Sequence, residues 1–219
     1  MPKDTFFNLP EEKRQKIIDA AIDEFGQRSF YDARITAVVE AAGIAKGSFY
    51  QYFEDKMDLF KYIVGLIAEK KMAYLNKNMM LRMEDYSFFQ LLRELFLSGF
   101  RFAKENPRLV LIGLQLLNNP ELFYQVIGAQ QDLAVQFYEK LLEKGMADGD
   151  LDPKIDVKIA ARILTGMTYS LADLIYEDGV VDLDDMEIVD HMLYIVENGL
   201  KKRPDARDRG GCPDGIAGA

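Results

Sequence analysis

Apolar residues recur along this chain at three- and four-residue spacing, the period of amphipathic helices. Ile17, Ile18, Ala21, Ile22 and Phe25 form one stripe, Lys13, Arg14, Lys16 and Asp23 fill the opposite face, and Gly26 follows as a helix stop. A short second helix over residues 35–42 turns Val38, Val39 and Ala42 inward and ends before Gly43. A third, over 46–53, starts three residues later and carries Phe49 and Phe53 on one face. Helix, tight glycine-containing turn, helix is the helix-turn-helix arrangement. Asp55 caps a long fourth helix, with Asp58 favouring its positive end, and the pattern carries it to about Asn78. Asn106-Pro107, Asn119-Pro120 and Asp152-Pro153 each join a capping residue to a proline at the first helical position. The remaining pattern predicts helices near 85–104, 107–117, 120–144, 154–177 and 183–201. Strand-like alternation of useful length and internal repeats are lacking, so the expected class is all-α, with about nine helices.

Composition narrows the function classes. With 49% hydrophobic and 29% charged residues, a chain of 219 residues can bury a substantial core. No apolar run approaches the roughly 18 residues of a spanning helix; residues 109–117 are the longest candidate and contain Gly113 and Gln115. The opening residues lack the apolar core and cleavage site of a signal peptide, and a soluble, cytoplasmic protein without membrane contact is expected. One cysteine, Cys212, excludes an intramolecular disulfide and a multi-cysteine metal site. One histidine, His191, on an apolar face of the last helix, reads as a packed side chain. A histidine-dependent triad or a His/Cys metal site is hard to assemble from these, so the expectation is no enzyme, no cofactor and no metal.

Net charge is −9, the wrong sign for a partner of a polyanion. The charge is unevenly spread: residues 1–56 carry eight Lys/Arg against ten Asp/Glu, and the rest carries 19 against 26. Net charge governs solubility and encounter rate, not whether one patch can dock. Residues 43–56, GIAKGSFYQYFEDK, hold the candidate patch. Lys46, Gly47 and Ser48 form the first turn of a helix, where unpaired N–H groups and the macrodipole favour an anion. Gly47 admits a close backbone approach, and Lys46, Ser48 and Gln51 can reach phosphates or base edges. Tyr50 and Tyr52 offer hydroxyls suited to phosphate oxygens, and Lys56 adds a charge at the edge. Spacing alone supports a DNA-facing helix and an ordinary solvated helix of a bundle equally.

The run AAGIAKGSFYQYFEDKMDLF, residues 41–60, resembles the signature of the TetR family of transcriptional regulators, and AAIDEFGQRSFYDARIT, residues 20–36, is similar to the family's first helix and aromatic-containing turn. The likeness covers about residues 11–62. It implies that Lys46, Gly47, Ser48 and Gln51 face the major groove and that Tyr50, Tyr52 and Lys56 contact phosphates. One position departs: Arg34 stands where the family has Ser or Thr at the start of the second helix. That removes a hydroxyl cap, although a guanidinium can supply a phosphate contact.

The resemblance further implies a helix-turn-helix DNA-binding domain over 1–55 and a helical ligand-binding and dimerisation domain over 56–202, followed by a tail, 203–219, whose Gly, Pro and mixed charge read as flexible. The last two helices carry broad apolar faces, which suit a homodimer built through Ile163, Gly166, Leu171, Leu174, Val189, Met192 and Val196. Phe88, Phe89, Leu92, Phe96, Phe123, Tyr124, Phe137, Met167 and Tyr169 are candidates to line an apolar ligand cavity or are plain core. The expected function is a TetR-like regulator, a repressor, that binds a palindromic duplex operator as a dimer and is released by a small, largely apolar effector. The alternative is a helical small-molecule-binding module without DNA binding.

Overall fold

The computed structural model of the chain describes the backbone of residues 1–128, 131–176 and 187–200, and the side chains of these except 131–133 and 169–176. Among the described residues, twelve α-helices and one 3₁₀ turn succeed one another without a strand, the class the periodicity predicts. The first five helices are α1 (Asp4–Phe7), α2 (Glu11–Gln27), α3 (Ile35–Ala41), α4 (Lys46–Tyr52) and α5 (Lys56–Met72). In α2 the apolar stripe is buried as patterned, with Ile17 and Ala21 at 0% exposure. α3 ends in a Schellman motif: the Gly43 N–H donates to the Glu40 carbonyl at 3.2 Å and the Ile44 N–H to the Val39 carbonyl at 3.0 Å. Gly43 takes φ +66°, a conformation costly for a residue with a Cβ. The Asp55 carboxylate accepts the Asp58 N–H at 2.7 Å and opens α5.

The expected run of that helix to Asn78 stops six residues early. After a turn, the Asn76 side chain accepts the Met79 N–H at 3.2 Å and starts a separate helix, α6 (Lys77–Leu81), followed by the 3₁₀ turn Met83–Asp85. α7 (Phe88–Glu105) starts at a capping box between Ser87 and Gln90. α8 (Pro107–Leu117) has the bounds its sequence predicts. The single helix expected over 120–144 is two, α9 (Pro120–Ile127) and α10 (Gln131–Ala147), and α9 ends at Gly128 with φ +47°. α11 (Val157–Tyr176) starts later than Asp152-Pro153 suggested. The Asp152 carboxylate is spent on a turn, accepting the Lys154 N–H at 2.9 Å, and the first helical turn is closed by Asp156, which accepts the Ile159 N–H at 3.0 Å. α12 (Glu187–Leu200) completes the described chain; the expected tail, Cys212 included, lies outside the described residues.

Two large apolar clusters organise these helices. The first joins α1 to α5 around Phe6, Phe25, Phe49, Phe53 and Phe60, and takes in Ile112 and Leu116 of α8 and Leu122 of α9. The second lies among α7, α10, α11 and α12. Packing therefore runs across residue 55, because Leu59, Phe60 and Ile63 of α5 lie in the first cluster. Polar ties fasten α8 to α2. Arg108 pairs with Asp23, and Gln115 Nε2 donates to the carbonyls of Phe25 at 2.5 Å and Arg28 at 2.8 Å. In the second cluster Gly145 lets α10 approach α7: a Cβ there would lie 2.8 Å from Phe88 Cβ and 2.9 Å from Leu151 Cδ1.

Candidate nucleic-acid interface

The surface is built on α4, whose two faces differ sharply. Phe49 and Phe53 are 0% exposed, with ring centroids 5.4 Å apart, and they fix the inner face against α3 and, beside Phe6 and Tyr62, against α1 and α5. Lys46, Gly47, Tyr50 and Gln51 are exposed and Ser48 is half-buried. Nothing lies within 4 Å of the position a Gly47 Cβ would take, so the first turn of α4 presents bare backbone. Among the described residues Lys46 has no hydrogen-bond or ion-pair partner, and its ammonium is available to an anion. The structure thus brings Lys46, Gly47, Tyr50 and Gln51 to one open surface, with Ser48 half-buried at its edge.

Three expected contacts sit differently. Tyr52 is 6% exposed, its ring 6.2 Å from that of Phe6, because α1 lies over the end of α4; the side chain expected to stand open is largely buried. Lys56 is half-buried and committed. Its Nζ donates to the carbonyls of Tyr31 at 3.0 Å and Ala33 at 2.9 Å, and lies 4.9 Å from the centre of the Phe30 ring. Two of its three donors thus hold the loop between α2 and α3. Arg34 is the N-cap of α3 and makes no side-chain cap, as the missing hydroxyl suggested. Its own N–H donates to Glu24 Oε1 at 2.8 Å while its guanidinium stays at the exposed surface.

The N-terminal segment is a part of this site that the patterning did not reveal. Lys3 Nζ donates to the Tyr50 carbonyl at 3.0 Å, Thr5 Oγ1 to the Gln51 carbonyl, and the Lys3 N–H to the Tyr52 carbonyl at 2.8 Å. Phe6, 0% exposed, anchors the segment with ring centroids 4.8 Å from Phe53 and 5.3 Å from Tyr62. Burial in this aromatic group pushes the Tyr62 phenol above the ordinary tyrosine value. The available signal was the Phe6-Phe7 pair, too short to register as a helical stripe.

Outside the head formed by α1 to α5, the expected dimer residues divide. Ile163 is 58% exposed and Gly166 is exposed, with nothing within 4 Å of its Cβ position. Val189 and Val196, at 1% and 5%, are consumed by their own chain's second cluster, and Met192 is half-buried against it. The outward large apolar residues of α12 are instead Tyr194 and Ile195, 67% and 65% exposed, with His191 also exposed rather than packed. The side chains of Leu171, Leu174 and Tyr169 lie outside the described residues. The expected cavity lining also separates. Phe88, Leu92 and Phe96 are fully buried, Phe89, Phe137 and Met167 pack beside them, Phe123 joins the first cluster, and Tyr124 is 74% exposed on the surface. Among the described residues no group of three or more His, Cys, Asp or Glu is placed to hold a metal, and no helix is long and apolar enough to cross a membrane.

The family model for bacterial regulatory proteins of the tetR family matches residues 17–63, the span from α2 into α5. The fold is similar to that of a TetR family transcriptional regulator from Chloroflexus aurantiacus J-10-FL. The two are 32% identical with a TM-score of 0.68, covering 93% of this chain and 100% of that one. YdgC of Bacillus subtilis, described as an uncharacterized HTH-type transcriptional regulator, is 29% identical over 189 residues, covering 84% of this chain and 92% of its own. The transcriptional regulator FadR of Bacillus subtilis in complex with stearoyl-CoA shares the fold at 19% identity and a TM-score of 0.69, covering 84% of this chain and 98% of that one.

Proposed function

This chain belongs to the TetR family of transcriptional regulators, and from that premise we propose that it is a homodimeric repressor. It reads a palindromic operator with two copies of α4 and leaves it when a small, largely apolar effector binds among the C-terminal helices. The observation that carries the reading is the open face of α4, where Lys46, Gly47, Tyr50 and Gln51 stand exposed on a helix whose other face is locked by Phe49 and Phe53. A rigid helix with a bare, cationic first turn suits entry into the major groove, with Lys46 and Gln51 at base edges and Tyr50 at a phosphate. Lys56 keeps one donor for a phosphate while its other two hold the loop. Arg34, exposed at the start of α3, supplies charge where the family's hydroxyl is missing.

The chain's acidity does not oppose this reading, because phosphate contacts are local and a dimer presents the surface twice. Two-fold pairing through Ile159, Ile163 and Gly166 of α11 and Tyr194 and Ile195 of α12 would cover apolar surface that one copy leaves open. The second cluster, rich in Phe and Leu, suits an apolar effector, and the acyl chain of the stearoyl-CoA held by FadR on the same fold is a ligand of that character. The effector must bind one spacing of the two reading helices better than the other to shift the equilibrium. Fluorescence anisotropy on duplexes from the DNA flanking the chain's own gene tests the proposal. Sequence-selective, salt-sensitive binding by a folded dimer is expected, and a folded dimer that selects no duplex at low salt would refute it.

A further inference from the structure

A helix leaves its last carbonyls without donors of its own, and a helix as short as α4 has few internal bonds to hold its end. In α4 the Phe53 N–H reaches the Phe49 carbonyl at 2.9 Å. The next three carbonyls, of Tyr50, Gln51 and Tyr52, are all met from residues 3–5: by Lys3 Nζ at 3.0 Å, by Thr5 Oγ1, and by the Lys3 N–H at 2.8 Å. The Lys3 ammonium thereby sits at the negative end of the helix dipole. Phe6 pins the segment into the aromatic cluster, and Arg14 Nη1 holds the following turn at the Phe7 carbonyl at 3.0 Å.

We propose that residues 3–6 form a detached C-terminal cap for the DNA-reading helix, in which Lys3 and Thr5 are positioning residues that set Tyr50 and Gln51 without themselves touching DNA. Two of the three capped carbonyls, those of Tyr50 and Gln51, belong to residues whose side chains face outward. Loosening that turn swings Tyr50 and Gln51 while Lys46 and Gly47, at the other end of α4, keep their place. The role in reading rests on the DNA-binding proposal above; the cap itself does not.

The test uses the full chain with Thr5→Val, which keeps the shape and removes the hydroxyl, with Thr5→Ser as rescue and Lys3→Gln beside them. Amide hydrogen exchange is read first without DNA. Anisotropy titrations at several salt concentrations follow, on a duplex that the wild-type chain selects from a random-sequence library. Thr5→Val is expected to speed exchange at the end of α4 and to weaken DNA binding, each by about three- to tenfold. Its thermal midpoint should fall by no more than about 5 °C and its salt slope stay unchanged, and Thr5→Ser should restore both readouts. Lys3→Gln should weaken binding with the slope unchanged. Wild-type exchange and affinity in Thr5→Val would overturn the proposal. A slope lower by about one in Lys3→Gln would overturn Lys3's part in it, since that marks a phosphate contact. If the wild-type chain selects no duplex, the DNA reading fails by itself, and the exchange data still decide the cap.

Discussion

Phe49 and Ile163 both sit within apolar helical patterns, yet one is 0% exposed and the other 58%. In the head, the apolar stripes of α2, α3, α4 and α5 face one another, and their phenylalanines are used up inside a single copy of the chain. In α11, apolar positions occupy two faces. Ala160, Ala161 and Leu164 meet the second cluster, while Ile159 and Ile163 point away from it. The same holds in α12, where Val189, Leu193 and Val196 pack inward and Tyr194 and Ile195 remain outside. A stripe narrower than half a helix completes a core, whereas a helix apolar on both sides leaves a surplus apolar face that a single copy of the chain does not cover.

The sharpest way to break this contrast is to cut into each region. Phe53→Ala should cost about 3–5 kcal/mol, measured by denaturant unfolding, because the fully buried ring packs among Phe6, Phe49 and Tyr62 and its removal leaves a cavity. Ile163→Asp combined with Ile195→Asp should leave the fold intact and remove about 2–4 kcal/mol of association, read as a halved mass in analytical ultracentrifugation. An unchanged mass would show that the surplus face is not where two copies meet.

Within the head, the two lysines sharpen the comparison on a finer scale. Lys46→Ala should weaken DNA binding by about 1–3 kcal/mol with no change in thermal midpoint, since the side chain has no partner in the fold among the described residues. Lys56→Met should lower stability by about 1.5–3 kcal/mol in thermal melts, since the carbonyls of Tyr31 and Ala33 lose a charged donor. Equal effects of both substitutions on fold and binding would erase the distinction. The smallest effect is expected at Gly43→Ala, about 1–2 kcal/mol of stability, because a Cβ there meets no neighbour and only the positive φ resists it.

The legible parts of this molecule are those in which neighbours in sequence are neighbours in space. The helix-turn-helix could be read because Phe49 and Phe53 share one face, Gly43 ends α3, and Asp55 caps α5 within three residues. The bounds of α8 were legible from Asn106-Pro107 for the same reason. The end of α5 and the start of α11 were misread because Asn76 and Asp156 compete with equally plausible caps nearby, and short-range grammar does not rank them. Tyr52 and Lys56 were expected at the DNA surface, but what covers or engages them comes from α1, 46 residues upstream of Tyr52, and from the α2–α3 loop.

By itself the sequence determined the all-α class, the helix-turn-helix with its inward phenylalanines, and the outward set Lys46, Gly47, Tyr50 and Gln51, since periodicity places residues on faces. Only the tertiary structure decided what each face meets. It placed Phe6 over Tyr52, tied Lys3 and Thr5 to carbonyls of α4, and turned Val189 and Val196 inward while leaving Tyr194 and Ile195 out. The physical reason is one of range. Hydrophobic period and capping act within a few residues, whereas burial and the pairing of orphan backbone groups are settled by segments brought together across the whole chain.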